Sequence, residues 1–270
     1  MPLWGLGRVL EDPAAGKVRI FFSNVGIKTM SLLTNLVVVK GEDAIDPILD
    51  NLKIVGSDEK SSYKTLAVLK QQFRNQFPEG FYGEKYQLEE RNYKIEAHKL
   101  ARRLFCRTDL EKAIKSRNFA ELCDNARKLV QATNLVFPNE KMNFSDGLSL
   151  SAFQEKFSES LYDLLFAGSD LERSFSSFCK VLVEIGSAKW TVATYFLFIM
   201  YPDEHMFMKP IVTSKAAEIC AFELNYKPEL NWLTYEKLMV FSRYLKKELA
   251  DLKPRDMIDV QSFIWCTGNG

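Results

Sequence analysis

Two histidines, His98 and His205, are all that 270 residues contain, and neither belongs to a carboxylate–histidine cluster, so no metal site is expected. A Ser-His-Asp hydrolase would have to draw on one of these two, and no GxSxG elbow supports it. GxxxxGK[ST] and GxGxxG are also missing, which argues against nucleotide hydrolysis and dinucleotide chemistry and leaves no cofactor to expect. The five cysteines, Cys106, Cys123, Cys179, Cys220 and Cys266, are odd in number, widely spaced and free of any CxxC pair. They read as reduced thiols in a reducing cytosol. The opening MPLWGLGRVLEDPAAG lacks a basic start followed by an apolar run, so it is no signal peptide. The longest apolar stretch, Val192 to Tyr201, is about half of what a bilayer span needs. A cytoplasmic protein without a membrane partner is expected. Its net charge is only +1, so a nucleic-acid partner would have to be met by a local basic face.

Apolar residues make up 47% of the chain and charged ones 26%, which is ordinary globular composition. The length suits one good core with a small appended module, or two modest domains. The first forty residues are rich in β signals. Val18, Ile20 and Phe22 alternate as on a half-buried strand, Ile27 to Leu32 alternates again, and Leu36-Val37-Val38-Val39 is a third run stopped by Gly41. Short strands with tight turns read as a small barrel. Trp4-Gly5-Leu6-Gly7-Arg8-Val9, a turn, then Val18-Arg19 through Phe22, Gly26 and Lys28 follow WGxGxV and VRxxFxxxGxK. This segment resembles the SH3/Tudor-like module at the C-terminal end of some bacterial DNA helicases. The resemblance implies docking on protein or nucleic acid, and no chemistry, for residues 1–41.

Residues 42–270 read as mainly α. Phe77 to Tyr86 is an aromatic, glycine-rich loop, either packed on the core or offering a base-stacking surface. Gln87 to Phe105 is a long helix with Tyr93, Ala97, Leu100 and Leu104 on one stripe. Its basic residues Lys94, Lys99, Arg102 and Arg103, with Arg107 beyond, either solvate a face or contact phosphates. Helices follow over 109–119, 120–132 and 149–166, with a loop over 137–147 between. Asp170 caps a helix from Leu171 to Glu184. Further helix covers Asn231 to Leu252, before a tail from Ile258 to Trp265.

Chemistry concentrates between Phe178 and Val212. A helix ends at Glu184-Ile185-Gly186, and a turn, Ser187-Ala188-Lys189, leads into a helix starting near Trp190-Thr191. Gly186 suits the positive φ of a helix C-terminus, and the turn can offer backbone N–H groups to a phosphate. Ile185-Gly186-Ser187-Ala188-Lys189-Trp190-Thr191-Val192-Ala193 resembles the hairpin and second-helix start of the helix-hairpin-helix DNA glycosylase superfamily. Asp203-Glu204-His205-Met206-Phe207 resembles its segment bearing the catalytic Asp, and Trp232-Leu233-Thr234-Tyr235 a segment of its alkylpurine-excising members. The likeness covers about residues 150–252, with the hairpin near 171–201. The chain lacks the proline and first glycine of the usual LPGxG, and its hairpin-to-Asp spacing is short.

The resemblance implies a fold with a helix-hairpin-helix glycosylase-like core. It implies Asp203 as the group stabilising oxocarbenium charge, with Lys189 and His205 as further catalytic candidates. Gly186, Ser187, Ala188, Lys189 and Lys209 become DNA-binding candidates. Trp190, Phe207, Asp259, Gln261 and Trp265 become candidates for the pocket of a flipped base. Lys209 equally reads as a solvated helix-start charge, His205 as a local hydrogen-bonding histidine, and Asp259 and Gln261 as caps in a packed terminus. The expected activity is excision of a damaged or modified base from double-stranded DNA, in repair or against modified phage DNA. The alternatives are a non-catalytic DNA-binding adaptor and an unrelated helical regulator. A monomer is expected, with the N-terminal module available to a protein partner.

Overall fold

Strand β2 (Lys17–Phe22) is buried along one face and, at its end, on the other as well, where Phe21 follows the exposed Lys17 and half-buried Arg19, so its alternation ends in two consecutive phenylalanines. Val18, Ile20 and Phe22 join Met30 and Trp4 in a small cluster on one side, while Phe21 enters the main core. β1 (Gly7–Val9) and β3 (Gly26–Ser31) flank it in an antiparallel sheet of order β1-β2-β3. The computed structural model describes residues 4–11, 13, 16–22, 26–34, 36–52, 66–166, 168, 170–220 and 222–268. Among these the sheet is open and has three strands, so it does not close into the expected barrel. Leu36 to Val39 is not a strand. It finds no partner edge, and Val37 is left 87% exposed. The sheet is fastened to the helical body by Phe21 and by Arg8, which donates to the Leu49 carbonyl at 2.5 Å.

The rest of the described chain is helical: α1 (Pro47–Asp50), α2 (Leu66–Gln76), α3 (Glu84–Tyr86), α4 (Asn92–Leu104), α5 (Arg107–Lys115), α6 (Phe119–Gln131) and α7 (Pro138–Ser149). After these come α8 (Ser151–Phe166), α9 (Leu171–Glu184), α10 (Trp190–Ala193), α11 (Tyr195–Met200), α12 (Pro210–Ile219), α13 (Trp232–Glu248) and α14 (Met257–Gly268). A mainly helical fold is therefore correct, and no described helix is long and apolar enough to cross a membrane. The loop expected over 137–147 is instead α7. Pro138 stands at its first position, where a missing N–H costs nothing, and the Glu140 carboxylate accepts the Phe137 N–H at 3.2 Å. Phe144 and Leu148, both fully buried, then offset its poor helix formers. Phe77, Phe81 and Tyr86 are core residues, so the aromatic loop packs inward and offers them to no base.

The core's polar spine lies where α14 crosses the start of α4. Gln87–Arg91 forms one π-helical turn, whose wider winding turns Arg91 and Lys94 inward. Arg91 grips Asp256 with both terminal guanidinium nitrogens, at 2.8 and 2.6 Å, and also reaches Asp259 at 2.8 Å. Asp259 further accepts from Tyr86 at 2.7 Å and from the Arg255 side chain and backbone. One helical step on, Lys94 donates to Ser262 at 2.8 Å and to Glu90 at 3.1 Å.

Candidate functional site

α9 carries Phe175, Phe178 and Leu182 on its buried stripe and is capped by Asp170, whose carboxylate accepts the Arg173 N–H at 3.0 Å. It ends as its sequence requires. Gly186 takes φ +68°, and Ser187 and Gly186 donate to the carbonyls of Leu182 and Val183 at 2.8 and 3.0 Å. The approach of α7 fixes the hairpin from below: a Cβ on Gly147 would lie 2.3 Å from the Ile185 carbonyl oxygen. Beyond the turn, the N–H groups of Val192 and Ala193 both return to Lys189. Those of Ala188, Trp190 and Thr191 have no acceptor among the described residues. Gly186 and Lys189 are exposed and Ala188 half-buried, so the turn faces out.

The side chains expected to serve DNA divide sharply. Ser187 is 1% exposed and its hydroxyl has no described partner, so it cannot reach a phosphate. Trp190 is core, its indole N–H donating to the Lys227 carbonyl at 2.8 Å, and Phe207 is fully buried against Phe198. Neither lines a base pocket. Asp259 is the counter-ion of Arg91 and Arg255, with no lone-pair side left open to a ligand. Gln261 is 5% exposed, and its carbonyl oxygen has no described partner.

Asp203 is exposed on the loop after α11 rather than desolvated beside aromatic rings. The cause is local: α11 ends at Met200, just before Pro202, and the Tyr201 carbonyl takes the N–H groups of Glu204 and His205, turning Asp203 outward. His205 turns inward, with Nδ1 2.8 Å from the Tyr235 hydroxyl and its ring stacked on that tyrosine. Burial, and secondarily the Arg243 charge, depresses its pKa to about 4. It borders a cavity of about 410 Å³ with Tyr201, Glu204 and Asp163.

Lys209 is brought to a different place by Thr194. That hydroxyl donates to the Trp190 carbonyl at 2.7 Å and accepts the Met208 N–H at 2.9 Å, tying the irregular segment after the loop to the hairpin's second helix. Lys209 thereby becomes the N-cap of α12, followed by Pro210 at the first position. Its ammonium lies 4.0 Å from the Trp265 ring centroid and 4.6 Å from that of Phe137. Burial lowers its pKa, opposed by the charges of Glu140 and Glu90. Glu140 accepts from Thr191, in the first turn after the hairpin, at 2.7 Å. Glu90 is held on the other side by Lys94. An amine of lowered pKa thus lies against two aromatic rings, with the charges of two carboxylates acting on it.

Lys209 and Trp265 were visible in the sequence; Phe137, Glu140, Glu90 and Lys94 were not. Lys94 had the appearance of a solvating charge but is 0% exposed. Of the other basic residues, Lys99 on α4 pairs with Glu96, and Arg107 at the start of α5 pairs with Glu111. No cluster of metal-ligating side chains exists among the described residues. Comparison of the chain with protein-family models, with curated proteins and with solved structures finds no match.

Proposed function

We propose that the protein engages double-stranded DNA through the turn at 186–189 and excises a damaged or modified base at Lys209, not at Asp203. The observation that carries this reading is Lys209, held against Phe137 and Trp265 under the charge of Glu140, which is hydrogen-bonded to the hairpin helix. Free backbone N–H groups at a helix start suit a phosphate, and flat rings suit an extruded base. An amine whose charged form is desolvated has the nucleophilic character that covalent catalysis needs. In the proposed reaction Glu140 takes a proton from Lys209. The amine then forms a bond to C1′ as the glycosidic bond breaks. The bonding electrons leave with the base, which recovers a proton. Opening of the sugar ring gives an imine, and water returns the lysine and an abasic aldehyde.

The exposure of Asp203 favours a second reading, a DNA-binding adaptor without chemistry. One experiment separates the two. The protein is incubated with DNA carrying diverse damaged and modified bases, including phage DNA, and abasic sites and borohydride-trapped adducts are scored. Excision is expected from the wild type and from Asp203→Asn, and is expected to vanish in Lys209→Gln. Binding without cleavage selects the adaptor; neither binding nor cleavage refutes both.

A further inference from the structure

We infer that the cavity between α8, α9 and the loop after α11 binds a small aliphatic amine or guanidine, tail inward and charge at the mouth. It measures about 410 Å³, within the roughly 300–1,000 Å³ of small-molecule pockets. No residue of the Lys209 site lines it, so the inference stands apart from the proposed excision. Its floor is apolar, made of the buried Leu164, Leu165 and Leu197. Phe166, Leu171 and Tyr201 are half-buried walls, and Asp163 and Glu204 are exposed at the rim.

The polar side chains that line it are nearly all acceptors. Neither the Asp163 nor the Glu204 carboxylate has a hydrogen-bond or salt-bridge partner among the described residues. The Tyr201 and Ser174 hydroxyls give their protons to the carbonyls of Leu165 and Asp170, at 2.8 and 3.1 Å, and are left to accept. The one side-chain donor is His205. Tyr235 is wholly buried with no other described acceptor for its proton, so its hydroxyl donates to Nδ1 and the imidazole proton sits on Nε2. With its pKa depressed to about 4, the ring adds no positive charge at neutral pH. No lysine or arginine lines the cavity; Arg102, Arg107 and Arg243, whose charges reach Tyr201 or His205, stand outside it. Two other surface cavities show the contrast. One is lined by Lys112 and Lys115, and its carboxylate, Glu111, is bound by Arg107 and Tyr162. The other adds Arg103 to Lys112, and its Asp109 and Glu121 accept from Cys106 and Asn118.

Unpaired carboxylates and surplus acceptors call for a ligand with N–H donors and positive charge. The leucine floor fixes its direction. A lysine from another protein would enter charge first and strand its ammonium among apolar groups, which nothing there offsets. A free amine lays its tail on the leucines and leaves its charge with the carboxylates.

The chain's two histidines provide the test, without DNA. The full-length protein is labelled with ¹³C at histidine Cε1, and the His205 signal is assigned by loss of the other in His98→Gln. At neutral pH, n-butylamine is expected to move the His205 signal along a saturating curve and leave His98 still; butanol, similar in size but uncharged, is expected not to. Asp163→Asn combined with Glu204→Gln, at exposed and unpaired positions, should weaken binding about tenfold. A shift that never saturates, one that butanol reproduces, or a midpoint unmoved in the double variant overturns the inference. Putrescine, charged at both ends, should bind more weakly than butylamine. Equal midpoints for the two would overturn the tail-inward assignment and select a lysine of another protein as the occupant.

Discussion

Asp259 and Asp251 offer a matched pair for testing what holds this fold together. Each carboxylate meets two cationic side chains at short range: Asp259 has Arg91 at 2.8 Å and Arg255 at 2.9 Å, and Asp251 has Lys70 and Arg74, both at 2.7 Å. Counted as ion pairs they are equal. They differ in burial, for the Asp259 side chain is 0% exposed and that of Asp251 is 45% exposed. In water the attraction of two charges at contact is nearly cancelled by their hydration, so Asp251→Ala should cost no more than about 1 kcal/mol. Asp259→Ala leaves Arg91 buried with half its partners gone and strips the Tyr86 hydroxyl of its acceptor. Loss of one member of a buried pair costs about 3–5 kcal/mol, a large part of the about 5–15 kcal/mol that stabilises an ordinary domain. Urea unfolding of the wild type and both variants, followed by circular dichroism, gives the comparison. Midpoints lowered equally, or Asp259→Ala within about 1 kcal/mol of wild type, would show that burial is not what gives the network its weight.

Further outcomes follow from neighbouring features. Burial holds His205 near pKa 4 against an unfolded value of 6.5, so between these pH values the unfolded chain binds more protons than the folded one. Stability contributed by neutral His205 is complete above about pH 6.5 and is lost as pH falls toward 4. The loss is at most about 3 kcal/mol, and His205→Gln should flatten that part of a plot of stability against pH. A plot of unchanged slope would count against the burial of this ring. Gly147→Ala forces α7 off the Ile185 carbonyl and should cost about 1–3 kcal/mol in thermal unfolding, where a helix-favouring substitution on an open face would stabilise. A melting temperature at or above wild type would refute the close contact.

Much of the scaffold could be read from residue order. The alternation of β2, the cap at Asp170 and the glycine at 186 are local signals, and local signals survive folding. The α7 segment was misread because Asn139, Asn143, Ser145, Asp146 and Gly147 favour loops, whereas Phe144 and Leu148 gain their weight only from partners far along the chain. On α4 the apolar stripe was assigned to Tyr93, Ala97, Leu100 and Leu104; Ala97 is buried and the other three pack against the core half-buried, while the fully buried positions beside Ala97 are Lys94 and Ala101. The centre of the buried face is shifted toward Arg91 and Lys94 because they bind polar groups on α14, and a hydrophobic count assigns charged residues to the outside. One signal was present: Asp259 and Ser262 stand three apart in an apolar tail, the same step that separates Arg91 from Lys94. The site around Lys209 was half legible for a related reason. Its parts come from the π turn and from α4, α7, α12 and α14, and nothing in residue order announces that these ends converge.

The bonds between Arg91 and Asp256 close a loop of 165 residues. Contacts so distant along the chain are slow to form, because the entropy of closing the loop must be met before the contact returns anything. The two sides of this spine therefore meet late, after helices such as α8 and α9 have already paired with their neighbours in sequence. A link made after the rate-limiting step leaves the speed of folding untouched and governs the speed of unfolding. The buried arginine thus acts less as a guide to the native state than as a latch upon it, setting how long the protein stays folded once it has arrived.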